Sequence, residues 1–218
     1  MPIQLFAEVG PLANNVYLVY DEPSNAALLV DPALQSEPVW EFIQERGLRL
    51  ELIVNTHGHF DHTANNAYFK ERAPDARLMY HRDDQSIIDN LVATGQRFGL
   101  RATASPPADA FLEDGLTIAV GDLKLAVLHT PGHTPGGCSL LLGGVAITGD
   151  TLFQNSVGRC DLPGGSMPQL LGSIRTRLLV LPDATLVCPG HGATSDIGSE
   201  KEHNPFLNEG ALRKMGLL

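Results

Sequence analysis

VNTHGHFDHT, residues 54–63, places three histidines and one aspartate within six positions, directly after the apolar run LELIVN at residues 50–55. The chain has eight histidines in all, so three of them at one strand end need a cause. Either the loop is an accident of polar composition or it is half of a metal site. Strand side chains alternate between faces, so His57, His59 and Asp61 point the same way if the segment stays extended. His62 then swings to a neighbouring direction as a helix begins. This differs from HExxH, whose i, i+4 histidines need a helix. Four potential ligands on one short loop are more than one ion takes from a rigid peptide, so the arrangement suits two adjacent ions.

The other half is expected at other strand ends, and the sequence offers three. LAVLHTPGHTPGG carries His133, VAITGDTLF carries Asp150, and TLVCPGHG carries His191. Each has the same local grammar: an apolar run, a tight glycine turn, then one ligand type. Small turn residues let backbone approach a bound ion, and strand ends fix ligands better than free loops. A single histidine after a strand is ordinarily a satisfied polar residue. Four such strand ends, one bearing four potential ligands, make coincidence the weaker account. Five histidines and two aspartates form a nitrogen and oxygen set that suits zinc, iron or manganese.

The 218 residues, 43% hydrophobic and 18% charged, fit one domain with a sizeable core. A net charge of −10 disfavours nucleic acid and anionic membrane as partners. Cys138, Cys160 and Cys188 are odd in number, with no CxxC spacing, and read as reduced thiols. The N-terminus MPIQLFAEVG carries no signal-peptide pattern, and no apolar run approaches a membrane span. A soluble cytoplasmic protein, monomer or homodimer, is expected.

Strands are expected at 3–9, 15–20, 27–31, 50–55 and 76–80, then at 117–120, 123–129, 138–144, 145–148 and 185–188. Gly143–Gly144 reads as a hairpin turn. Helices are expected from Ser36 as N-cap to Gly47, from Asp61 to before Pro74, at 83–93, and from a Ser166/Gln169 capping box through residue 181. PFLNEGALRKMG (205–216) reads as a short terminal helix. Residues 94–110 read as a surface loop, a plain connector or a lid or dimer contact through Phe98 and Arg101. Two groups of strands with interleaved helices imply an α/β protein, two sheets packed face to face with helices outside.

THGHFDH, PGHTPGG, GDTLF and PGHG, in this order and spacing, resemble the metallo-β-lactamase superfamily across nearly the whole chain. The resemblance implies an αββα four-layer sandwich and two divalent ions, zinc first, with iron or manganese as alternatives. One ion would be held by His57, His59 and His133. The other would be held by Asp61, His62 and His191, with Asp150 bridging. GDTLFQNSVGR resembles the glyoxalase II branch, hydrolases of S-lactoylglutathione, in which a basic residue at the position of Arg159 binds the thiol. EKEHNPFLN resembles the same branch and makes Lys201 a second substrate contact. Asp161 stands where that branch has a tyrosine. The chain stops soon after NPFL, so one domain, residues 1–218, is expected without a separate C-terminal helical domain. GRCD (158–161) also resembles the persulfide dioxygenases, in which one Fe(II) would sit on His57, His133 and Asp150.

The hydrolase resemblance implies a metal-bridging hydroxide as nucleophile, oriented by Asp61, and a small anionic thioester as substrate. Arg159 would give that substrate a guanidinium fork. Asp31, costly to bury alone, is expected to hydrogen-bond the metal loop or to cap a turn. His129 is expected behind the ligands or in the core. His81 and His203 read as surface polar residues, Cys160 as a pocket neighbour without a nucleophilic role, and Cys138 and Cys188 as core residues.

Overall fold

The structure, a computed structural model, describes residues 3–207. Six strands from the first half of the chain form one sheet: β1 (Ile3–Val9), β2 (Asn14–Asp21), β3 (Ala26–Val30), β4 (Arg49–Val54), β5 (Arg77–His81) and β6 (Ala110–Leu112). The first three pair antiparallel, and β3 to β6 pair parallel. Every residue of β3 is buried, because the sheet is covered on both faces. Parallel pairing sends the chain out of β3, β4 and β5 at one sheet edge. Asp31, the VNTHGHFDHT loop and Asp84 therefore emerge together.

The second half supplies β7 (Thr117–Val120), β8 (Leu123–His129), β9 (Cys138–Leu142) and β10 (Val145–Gly149). A small ribbon, β11 (Leu152–Phe153) and β12 (Ser156–Val157), follows, and then β13 (Leu186–Pro189) and β14 (Ser195–Asp196). The second sheet runs β14-β13-β10-β9-β8-β7, and only β10 and β13 pair parallel in it. That parallel pair sends Asp150 and His191 out at the same end. The expected turn at Gly143–Gly144 joins β9 to β10, with Gly143 at φ 55°.

Between the sheets, Val19, Leu28, Val54, Leu125, Leu140 and Ile147 form a shared core. On the outer face of the first sheet, Val39 and Ile43 of α1 (Glu37–Glu45) pack with Phe69 and Ile88 against Leu18, Leu29 and Ile53. On the outer face of the second, Leu170, Ile174 and Leu178 cover Val187. Helix, sheet, sheet and helix layers result, the expected sandwich. No helix among the described residues is long and apolar enough to cross a membrane.

Several helices differ from expectation. The one expected from Asp61 is split into α2 (Phe60–Thr63) and α3 (Asn66–Arg72), since Asn66 is buried and exchanges amide hydrogen bonds with Asn55. That at 83–93 is a 3₁₀ turn, Arg82–Asp84, then α4 (Gln85–Asp89) and α5 (Leu91–Arg97). Residues 94–97 of the expected loop are thus helical, and the exposed Phe98 stacks on Phe60 with centroids 5.1 Å apart. Ser36 makes no capping bond to α1; its hydroxyl donates to the Ala33 carbonyl at 2.6 Å. The helix expected from Ser166 is α6 (Met167–Ser173), capped by Ser166 and continued as a π turn, Ile174–Leu178. α7 (Ile197–His203) was not expected. Of the expected terminal helix, Pro205–Leu207 forms a 3₁₀ turn and the rest lies outside the described residues.

Candidate metal centre

The seven expected ligands arrive from four strand ends, and the structure brings their nitrogen and oxygen atoms together. His57, His59 and His133 offer ligand atoms within 4.8 Å of one another, as do Asp61, His62 and His191. Asp150 lies between the two sets. One of its carboxylate oxygens is 3.4 Å from His62 Nε2; the other is 3.5 Å from His133 Nε2 and 3.7 Å from His191 Nε2. The loop does not stay extended as far as Asp61. His59 keeps an extended ψ of 147°, and α2 starts at Phe60, so Asp61 and His62 occupy the first helical turn. That turn rotates both toward β2 and the His191 loop.

Most of these histidines have their outer ring nitrogen tied down, which aims the inner one. His62 Nδ1 lies 3.1 Å from Asp31 Oδ2. Asp31 also accepts the Thr56 amide and hydroxyl, both at 2.7 Å, and that hydroxyl accepts from His57 Nδ1 at 3.1 Å. One buried aspartate thereby orients two ligands, in the way carboxylates stand behind metal-bound imidazoles. His133 Nδ1 donates to the Arg159 carbonyl at 2.7 Å, and His191 Nδ1 to the Ala13 carbonyl at 3.3 Å. His59 instead turns Nδ1 inward, 2.8 Å from His133 Nε2.

Two buried atoms here lack a hydrogen-bond partner: His57 Nε2 and Asp150 Oδ1. Unsatisfied buried groups are costly, so these two atoms fit a cation as partner. The donor set, five imidazoles and two carboxylates, fits a pair of divalent ions.

Electrostatics divides the site. Burial holds His57 well below the ordinary imidazole value and lowers His59 and His133 to about 4, so their nitrogens are free of protons at neutral pH. Burial also works against a charge on His62, but Asp61, Asp150 and Asp31 around it outweigh that and raise it well above 6.5. Asp61 shows the reciprocal effect: burial pushes its carboxyl up, and His62 and His191 hold it well below the usual carboxylate range. Burial raises Asp150. The His62 side of the centre is therefore an anionic pocket that retains a cation, whether proton or metal.

Two residues that the sequence reading did not single out complete the site. Asp84, fully buried at the end of the turn after β5, accepts the Gly58 amide at 2.7 Å, the Thr134 hydroxyl at 2.7 Å and the Gly136 amide at 2.6 Å. It clamps the loop of His57 and His59 to the loop of His133. Its signal was available, since HRDD repeats the pattern of a polar group after an apolar strand. Asn14, 2% exposed, brings Nδ2 to 3.0 Å from Asp61 Oδ2. Nothing but its place before an apolar strand marked it.

The two expected substrate contacts are both paired with acids at the surface. The Arg159 side chain is 61% exposed and paired with Asp161 at 2.7 Å, while its carbonyl holds His133. Lys201 pairs with Asp183 at 2.6 Å, in the turn entering β13, whose opposite end leads to His191. The motif around Lys201 holds structure together. Glu200 accepts the Asn155 amide at 2.9 Å, and Asn204 donates to the Ser156 carbonyl at 3.0 Å. Both bonds fix the ribbon between Asp150 and Arg159. His129 stacks on His81 with centroids 4.3 Å apart and bonds the Pro135 carbonyl, outside the ligand cluster. His203 is exposed. Cys160 is half-buried; Cys138 and Cys188 are core residues.

The sequence profile described as the metallo-beta-lactamase superfamily matches residues 9–191. The hydroxyacylglutathione hydrolase GloC of Haemophilus influenzae is 38% identical over 208 residues, covering 92% of this chain and 95% of that protein. Among solved structures, TTHA1623 in a di-iron-bound form superposes with a TM-score of 0.85 at 35% identity, covering 94% of this chain and all of that one (100%). ETHE1 from Myxococcus xanthus superposes with a TM-score of 0.80 at 31% identity, covering 94% of this chain and 84% of that one.

Proposed function

The chain belongs to the metallo-β-lactamase superfamily, and on that premise we propose that it is a two-metal hydrolase of small anionic thioesters of the S-lactoylglutathione type. The observation that carries this reading is the placement of Asp150. One oxygen is 3.4 Å from His62 and the other 3.5 Å from His133 and 3.7 Å from His191, so the carboxylate reaches both ligand sets, as a bridge between two ions requires. The GloC relative supports the thioester, and the charge of Arg159 supports an anionic substrate.

When bound, two divalent ions lower the pKa of a water between them toward ~7 and polarise a carbonyl oxygen. The chain's own residues do the rest. His57, His59 and His133 would hold the first ion, and Asp61, His62 and His191 the second. Asp61, held ionised by His62 and His191, would accept a hydrogen bond from the attacking water at its carboxylate and so orient it. Asp31 keeps His62 and, through Thr56, His57 in the tautomer whose Nε2 faces the centre. Arg159 would bind a carboxylate of the thiol moiety by its guanidinium fork, in competition with Asp161.

The second reading is a mononuclear iron dioxygenase of persulfides, with Fe(II) on His57, His133 and Asp150 as a facial triad. The resemblance to ETHE1 favours it. It leaves Asp61 and His191 without a role, whereas the hydrolase uses both. Thioester cleavage and persulfide-dependent oxygen uptake, run on one preparation, test the proposal. Metal-dependent cleavage without oxygen uptake supports it; oxygen uptake with one iron per chain overturns it.

A further inference from the structure

Asn14 Nδ2 stands 3.0 Å from Asp61 Oδ2, 3.2 Å from His62 Nε2 and 3.4 Å from His191 Nε2. Those three atoms are themselves 3.2 Å (His62 to His191) and 3.3 Å (Asp61 to each histidine) apart. Four atoms with six nearly equal separations are the corners of a tetrahedron. A regular tetrahedron of that edge has its centre about 2.0 Å from each corner, the distance at which zinc takes nitrogen and oxygen ligands. Asp150 adjoins this figure, one oxygen 3.4 Å from His62 Nε2 and the other 3.7 Å from His191 Nε2.

The amide group fits that corner badly as a hydrogen-bond donor and well as a ligand. An NH₂ has two hydrogens, and three polar atoms surround this one, the two histidine nitrogens donating or accepting according to tautomer. The two ends of an asparagine amide are told apart only by their partners. Turned by half a rotation, the amide places Oδ1 at the corner, facing the position shared by the other three ligands. The backbone holds Asn14 there. It forms a β-bridge with His191, and the next residue donates its amide to the Gly190 carbonyl at 2.7 Å and its side chain to the Pro189 and Gly192 carbonyls at 3.0 and 2.8 Å. The start of β2 is thus stitched to the loop that presents His191.

We infer that Asn14 is a metal ligand, supplying its amide oxygen to the ion held by Asp61, His62 and His191. The inference rests on the two-ion reading and makes the centre unequal. Counting Asp150, the ion at Asn14 would have five protein ligands. The ion at His57, His59 and His133 would have four, one fewer, and so more room for water or substrate. In this division substrate would meet the His57, His59 and His133 side, and the Asn14 side would be the anchored one.

The test is a zinc titration of metal-free protein against a chelating indicator, for wild type, Asn14→Ala and Asn14→Asp. Wild type binds two equivalents. Asn14→Ala binds the first as wild type does and the second at least ~10-fold more weakly, while Asn14→Asp, which restores an oxygen, retains the second. Two equivalents of unchanged affinity in Asn14→Ala overturn the assignment and leave the two-ion reading standing. A single equivalent in wild type, held by His57, His59 and His133, sinks that reading and the assignment with it. If the variants do not fold, a zinc-loaded wild-type structure decides. An Asn14 oxygen within ~2.3 Å of the ion supports the assignment; water in that place and the amide turned away contradict it.

Discussion

The carboxylate of Asp84 accepts the backbone amide of Gly58 at 2.7 Å, between His57 and His59. A Cβ on Gly58 would stand 2.9 Å from Asp84 Cβ, and one on Gly136 2.8 Å from Asp84 Cγ. Both motif glycines are thus explained by the approach of one buried acid. Asp84→Ala strands three donors and is expected to destabilise the fold by about 3 kcal/mol. It should also weaken zinc at the His57, His59 and His133 site more than at the other. Denaturant unfolding and metal titration measure the two effects; a stable variant with normal zinc affinity would show that the clamp is dispensable.

Gly190 is predicted to be intolerant of any side chain for a different reason. A Cβ there would lie 2.3 Å from Asp150 Oδ1 and 2.7 Å from His62 Cε1. Gly190→Ala should therefore cost at least ~10-fold in affinity for the second zinc. Gly172→Ala, where a Cβ meets nothing within 4 Å on a helix, should be neutral or slightly stabilising.

The stability of the metal-free protein should fall as pH drops from 6.5 to about 4. Folding lowers His59 and His133 to about 4 from 6.5 and lowers His57 further. In that window the unfolded chain binds protons that the folded one refuses, so acid favours unfolding. His62, raised instead, contributes stability that is fully present below 6.5 and is lost only as pH rises through its folded value. Asp150 and Asp84, also raised, oppose the trend, two groups against four, since His81 is lowered as well. Urea unfolding at pH 7, 5.5 and 4.5 checks the slope; stability rising across that range on acidification would contradict it.

Zinc uptake at pH 7 should release protons from one side of the centre. The His62 side holds a proton between Asp61, Asp150 and Asp31, which a metal displaces. The His57, His59 and His133 side holds none. Calorimetry in buffers of different ionisation heat should show one binding step that depends on the buffer and one that does not.

Arg159 is expected to act on substrate and not on the fold. It and Asp161 are 61% and 67% exposed, so their pairing adds little to stability. Arg159→Ala should leave Tm unchanged and raise KM for an anionic thioester by about 10-fold, with kcat nearly intact, as loss of a binding contact does. An uncharged thioester should show no such change.

Most of the centre was legible because each ligand follows an apolar strand through a tight turn, a pattern carried by the chain itself. His57, His133, Asp150 and His191 are found that way. The direction of Asp61 was not legible, since it depends on α2 beginning at Phe60. Asp84 and Asn14 were missed because their roles exist only across the fold. Asp84 bonds Gly136, 52 positions away, and Asn14 faces a histidine 177 positions away. The breaks in the helices after β4 and β5 were hidden for a similar reason. They follow from buried contacts such as that of Asn66 with Asn55, which propensity does not register.

The most direct test is the rate of S-lactoylglutathione cleavage as zinc is returned to metal-free protein. A two-ion hydrolase should show no cleavage without metal and a rate that keeps rising until the second equivalent is bound. Full rate at one equivalent, or no cleavage at any loading, would contradict it.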